Sequence, residues 1–255
     1  MRVFQAQARR ECITVTRHVP PTPGKQPARS RIATRSFSMR TLDKIRPDLL
    51  LLLSLLLMIV LHPVLDHGTL RRLFTEMLIF VPVLLATLRL SQIKTRLWPS
   101  VSLMIAATGL GVLSNVWPNP VVIAAKWGAL AVFFALTVVG LFSFLRNARE
   151  VTETHLFTAV SIYLLLGILW FSVYCAIDTY QPGSILQGGS LLEHRENQLL
   201  YFSLITLSTI GYGDIVPVGP EVRMLAALEG IVGVLYVAIT VAILVSAFHA
   251  PRDRT

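Results

Sequence analysis

The chain has 255 residues, of which 54% are hydrophobic and only 15% charged, a balance far outside that of a soluble globular domain. Its formal net charge of +9 does not describe a basic folded surface, because eleven of the 23 Lys and Arg residues precede Pro47, where only Glu11 and Asp43 oppose them. From Pro47 onward basic and acidic residues balance, which excludes a nucleic-acid-binding face and assigns the excess to the N-terminal segment.

Cys12 and Cys175 are too few and too badly placed for a disulfide framework or a metal site. His18, His62, His67, His155, His194 and His249 are scattered, and no HExxH, P-loop, GxGxxG or GxSxG pattern occurs. The chain therefore reads as a membrane protein that is not an enzyme, with no cofactor and no small-molecule substrate expected.

Residues 1–46 contain Pro20-Pro21-Thr22-Pro23-Gly24, many Ser and Arg, and no sustained apolar periodicity, so a disordered basic cytoplasmic tail is expected there. An Arg-rich, acid-poor leader also has the composition of an organelle transit peptide. Met39 offers an alternative start. Six apolar runs follow, at approximately 48–65, 72–90, 97–117, 119–145, 154–177 and 221–248. A hydrocarbon core of about 30 Å needs about 20 helical residues, so each run predicts a transmembrane helix.

Loop charges set the orientation, since Lys and Arg are retained on the cytoplasmic side. With the N-terminus inside, the cytoplasmic segments hold the tail, then Arg89, Lys94 and Arg96, then Arg146 and Arg149, and finally Arg252 and Arg254. The outer side receives Arg71, Arg72, Arg195 and Arg223. Only the Arg71-Arg72 pair is awkward, and snorkelling to the headgroups would accommodate it. Both termini are thus expected in the cytoplasm of a cell bounded by a plasma or inner membrane.

Between the fifth and sixth runs lies a stretch too polar to span. Within it, residues 196–208 read as a helix of three to four turns, well short of a crossing, and a re-entrant segment is expected. Irregular backbone at membrane depth is tolerated only where protein buries it or where it lines a water-filled path. The following Thr209-Ile210-Gly211-Tyr212-Gly213-Asp214 must therefore put its carbonyls to use. Gly211 and Gly213 can take the positive-φ conformations that turn successive carbonyls to one side. Ile210 and Tyr212 would then point outward onto the short helix, and the Thr209 hydroxyl would add an inner ring. Four copies around one axis would surround a dehydrated cation with rings of oxygens, so one copy per chain predicts a homotetramer.

These residues resemble the potassium-channel superfamily, whose Thr-Val-Gly-Tyr-Gly loop is a carbonyl filter. The resemblance covers about residues 154–250, with Ile210 in place of the commoner Val and with Asp214 and Pro217 following as in microbial members. It implies an all-α membrane protein whose pore is completed by tetramerisation. Residues 47–150 would form a four-helix peripheral domain, 151–250 the pore domain, and 251–255 a short cytoplasmic C-terminus. It also implies potassium sites at Thr209, Ile210, Gly211 and Tyr212, with Gly213 completing the filter. The alternative from another class is a non-conducting potassium-binding sensor or assembly partner; a transporter of four single-glycine repeats fits a full Gly-Tyr-Gly poorly.

Supporting residues follow from the same resemblance. Tyr201 would brace Asp214 through its hydroxyl, unless it is an interfacial aromatic. Ile205 stands where some members carry Glu, so no carboxylate partner for Asp214 is expected there. Gly233 falls at the family's glycine hinge, whereas Ala226 and Gly230 have the spacing of a close-packed pair. Glu229, an intramembrane carboxylate, would sit either behind the filter against pore-helix hydroxyls or in the cavity, concentrating cations. Lys126 is the one basic residue within the fourth run, so no voltage-sensing Arg ladder is present there. A neutralising Glu76–Lys126 pair competes with independent snorkelling. No gating ring is expected on the few residues after the sixth run, and the basic tail could contact anionic lipid.

Overall fold

The computed structural model describes residues 47–64, 79–88, 97–147 and 152–248. The chain divides into two units, Met1–Met39 and Arg40–Thr255, and every described residue belongs to the second. The expected tail, the start at Met39, the Arg71-Arg72 pair, the Glu76–Lys126 pair and residues 251–255 all lie outside the described residues.

Among the described residues seven helical segments run in chain order. They are α1 (Pro47–Val64), α2 (Ile79–Leu88), α3 (Leu97–Val116), α4 (Pro120–Arg146), α5 (Glu153–Tyr180), α6 (Arg195–Leu207) and α7 (Pro220–Phe248). Three of them, α4, α5 and α7, are long and apolar enough to cross a membrane; the described apolar parts of α1, α2 and α3 are shorter.

Local chemistry sets several ends. The Asn119 side chain accepts from the Val121 amide at 2.9 Å, and Pro120, which has no amide to satisfy, takes the first helical position of α4. At the start of α5 the Thr152 amide donates to His155 Nδ1 at 3.2 Å, satisfying a donor that the helix leaves unpaired.

The fold is mostly helical, with one amendment to the all-α expectation. Strand β1 (Ile185–Gln187) pairs antiparallel with β2 (Ile215–Pro217), matching Ile185 to Pro217 and Gln187 to Ile215. This ribbon closes the segment that contains α6, so both its ends are held together.

Helix α5 is the hub. Helix α4 lies along it, α1 leans on it, α3 covers α4, and α6 is held between α5 and α7. Fully buried aromatics make the joints: Trp127 of α4 meets Phe171 of α5 edge-on at 5.2 Å between centroids, and Tyr174 of α5 meets Phe202 of α6 at 5.1 Å. Such pairs stabilise by about 0.5–1.5 kcal/mol beyond their buried area. Two side-chain contacts fasten α1 at opposite ends: Thr158 of α5 donates to buried Asp48 at 3.3 Å, and His62 meets Asn197 near the start of α6.

Candidate functional site

Helix α6 has 13 residues, so at 1.5 Å per residue it is about 20 Å long, too short to cross a bilayer. Its first turn is anchored to α5 by Arg195, whose Nε lies 3.3 Å from Asp178 and whose guanidinium also meets Thr179. Gln198 reaches Gln187 of the ribbon. The helix ends at Leu207, with Ser208 as its cap and the Ser208 hydroxyl donating to the Leu204 carbonyl at 2.7 Å.

The backbone changes character at once beyond that cap. Thr209, Gly211 and Gly213 have φ of 59°, 54° and 79°, whereas Ile210 and Tyr212 between them are not in the positive-φ region. Alternating left- and right-handed residues is the sign pattern that turns successive carbonyls toward one side. The two glycines are required for conformation and not for room, since a Cβ at either would meet nothing within 4 Å. Thr209 is the addition that composition did not reveal; a left-handed non-glycine residue costs roughly 1–2 kcal/mol.

The loop amides are spent on α6. Thr209 donates to the Thr206 carbonyl at 3.0 Å, and Ile210 and Gly211 both donate to the Ile205 carbonyl, at 2.9 and 3.2 Å. The partial negative end of α6 therefore faces the beginning of the loop. At its far end Asp214 is held twice: its Oδ1 accepts from the Tyr201 hydroxyl at 3.3 Å, and its carbonyl accepts from the Gly188 amide at 3.3 Å. Desolvation first, and the Asp214 carboxylate second, push the Tyr201 hydroxyl above the ordinary phenol range, so it remains a donor at neutral pH.

In the single chain α6 does not bury Ile210 and Tyr212. They stand 55% and 70% exposed. Beside the loop lies a cavity of about 560 Å³, lined by Thr206, Thr209 and Gly211 on one side and by Ala227, Gly230 and Val234 of α7 on the other.

Of the two positions open to Glu229, the structure places it behind α6 and not in this cavity. It is fully buried, its Oε1 2.6 Å from Ser203 Oγ and its Oε2 accepting from the Tyr174 hydroxyl at 2.6 Å. Gly233 is a packing glycine: a Cβ there would lie 2.1 Å from the Leu207 carbonyl oxygen, whereas one on Gly230 would meet its nearest neighbour at an ordinary 3.7 Å. Helix α7 runs unbroken through both. Sequence reasoning missed Tyr174 and Ser203; a tyrosine and a serine inside apolar helical faces were the only hints.

Comparison with known proteins finds likenesses over this part of the chain. Residues 197–250, which carry α6, the loop and most of α7, match the family model described as ion channel. Over 94 residues the chain is 30% identical to the inward rectifier potassium channel Kirbac3.1 of Paramagnetospirillum magnetotacticum. Over these residues the chain is therefore similar to potassium channels. The likeness to Kirbac3.1 involves 35% of this chain and 28% of that channel, so well under half of either is shared. No solved structure matches the chain significantly. These matches point to a channel and not to an enzyme, and among the described residues no cluster of His, Cys, Asp and Glu could hold a metal ion.

Proposed function

We propose that the chain is one subunit of a homotetrameric channel that passes potassium passively across the plasma or inner membrane. The observation that carries this reading is the alternation of left-handed residues at 209, 211 and 213 directly beyond the end of a helix too short to span. In four copies, Thr209, Ile210, Gly211 and Tyr212 supply the oxygen rings, with Gly213 and the Tyr201–Asp214 contact holding the outer mouth. Helix α6 is then the re-entrant pore helix, α5 and α7 the outer and inner helices, and α1–α4 a peripheral bundle that brings the crossings to six.

Exposure supports the assembly. Tyr212 and Ile210 are uncovered, and the α7 residues Met224, Ile231 and Val234 are 71%, 55% and 56% exposed, a surface that neighbouring copies would cover. Steep voltage gating is not part of the reading, because α4 carries only Lys126 and Arg146 as basic residues.

Rubidium uptake into liposomes bearing the purified protein tests the proposal. A potassium gradient is expected to drive uptake that sodium does not replace. Absence of uptake from tetrameric protein would favour a non-conducting potassium sensor instead.

A further inference from the structure

The buried carboxyl of Glu229 presents a hydrogen count that only one protonation state satisfies. Ser203 Oγ lies 2.8 Å from the Gly167 carbonyl oxygen and 2.6 Å from Glu229 Oε1, while Tyr174 donates to Oε2. Ser and Tyr hydroxyls each have one hydrogen to give, and carbonyl and carboxylate oxygens have none. An ionised Glu229 would leave two hydrogens for three contacts, so one pair of oxygens would face each other at 2.6–2.8 Å with nothing between them. A protonated carboxyl supplies the third: Tyr174 donates to Oε2, Oε1 donates to Ser203, and Ser203 donates to Gly167.

The surroundings agree with a neutral acid. Glu229 is fully buried, no Lys or Arg among the described residues pairs with it, and its titratable neighbours on α5 are the phenols Tyr174 and Tyr163. An unpaired charge there would be costly.

We propose that Glu229 holds its proton and acts as a positioning residue, a hydrogen-bonded clamp that locks α7 to α5 and α6 behind the loop. Glu229 and Gly233 are four residues apart, hence on one face of α7, and that face meets α6 at Ser203 and again at Leu207. Together they fix how α6 is seated beneath Thr209. The clamp stands on geometry alone; its value for ion selection rests on the channel reading.

Infrared difference spectroscopy on the full-length protein, wild type minus E229Q, tests it. A protonated-carboxyl carbonyl band present in wild type and absent in the variant is expected. Glutamine reproduces the pattern of the neutral acid, since its amide NH₂ donates to Ser203 and its oxygen accepts from Tyr174. E229Q is therefore expected to melt close to wild type, and E229L well below it. Lack of the band, or an E229Q melt as low as that of E229L, would overturn the clamp; should E229L fail to fold, the band and the E229Q melt decide alone. Neither readout needs ion flux, so a protein that shows the band yet conducts nothing would refute the channel and leave the clamp standing.

Discussion

Substituting Gly233 by Ala is expected to remove most of the folded, assembled protein. The added methyl would sit 2.1 Å from the Leu207 carbonyl oxygen and 3.0 Å from its carbon, inside the distance any real Cβ keeps. Overpacking at flexible side chains costs about 1–3 kcal/mol, and here the obstacle is backbone at the end of α6, which cannot turn aside. At about 3 kcal/mol the ratio of folded to unfolded protein falls by more than a factor of roughly 100. Relief requires α7 to withdraw or α6 to shift, and either movement strains the Tyr174–Glu229–Ser203 contacts one turn away. Thermal melting of the purified variant, read by intrinsic tryptophan fluorescence, checks this. Gly109 is the control, since nothing lies within 4 Å of a Cβ placed there. Alanine is the better helix former, so G109A is expected to melt at or slightly above wild type.

The second large effect is of the opposite kind. Gly211 has φ 54° and open space around its Cβ position within its own chain, so G211A introduces no clash with the helices that hold the loop. Within the chain it penalises the left-handed backbone, by about 1 kcal/mol or more in each copy, hence roughly 4 kcal/mol for the proposed ring of four. The loop escapes that penalty by turning the peptide, which would remove the carbonyl from its ring. G211A is therefore expected to melt like wild type while rubidium uptake falls by more than tenfold. Uptake equal to that of wild type would detach this loop from permeation. The pair of variants separates support from permeation: one loses the protein, the other only the flux.

The helices were legible because a hydrocarbon solvent writes them as long apolar runs. The runs at 97–117, 119–145 and 154–177 fall on Leu97–Val116, Pro120–Arg146 and Glu153–Tyr180, and the short helix at 196–208 falls on Arg195–Leu207. Gly211 and Gly213 were legible as well, because a positive φ is the ordinary reason for glycine in a polar loop. The ribbon was not: each strand has three residues, too few for alternation to register, and its pairing joins positions about thirty residues apart. Thr209 was also hidden, since its left-handed φ is imposed by the turn off α6 and not by its own preference.

Glu229 and Gly233 show why partners are harder to read than elements. Sequence marks an intramembrane carboxylate as unusual but does not say which face of its helix it occupies. Ser203 and Tyr174 come from two other helices, and only their packing selects the site behind α6 over the cavity. Small-residue spacing pointed to Ala226 and Gly230 as the close contact. The tight approach is at Gly233 instead, where an added Cβ would lie 2.1 Å from the Leu207 carbonyl oxygen, against 3.7 Å from the Thr206 carbonyl oxygen at Gly230.

The central claim is selective conduction through loop 209–213, and the reversal potential of wild-type protein in a planar bilayer with high potassium on one side and low potassium, balanced by sodium, on the other tests it most directly. Current is expected to reverse near the potassium equilibrium potential and to follow it as the potassium concentration is changed. Reversal near zero, or a value that tracks sodium equally, would contradict the account.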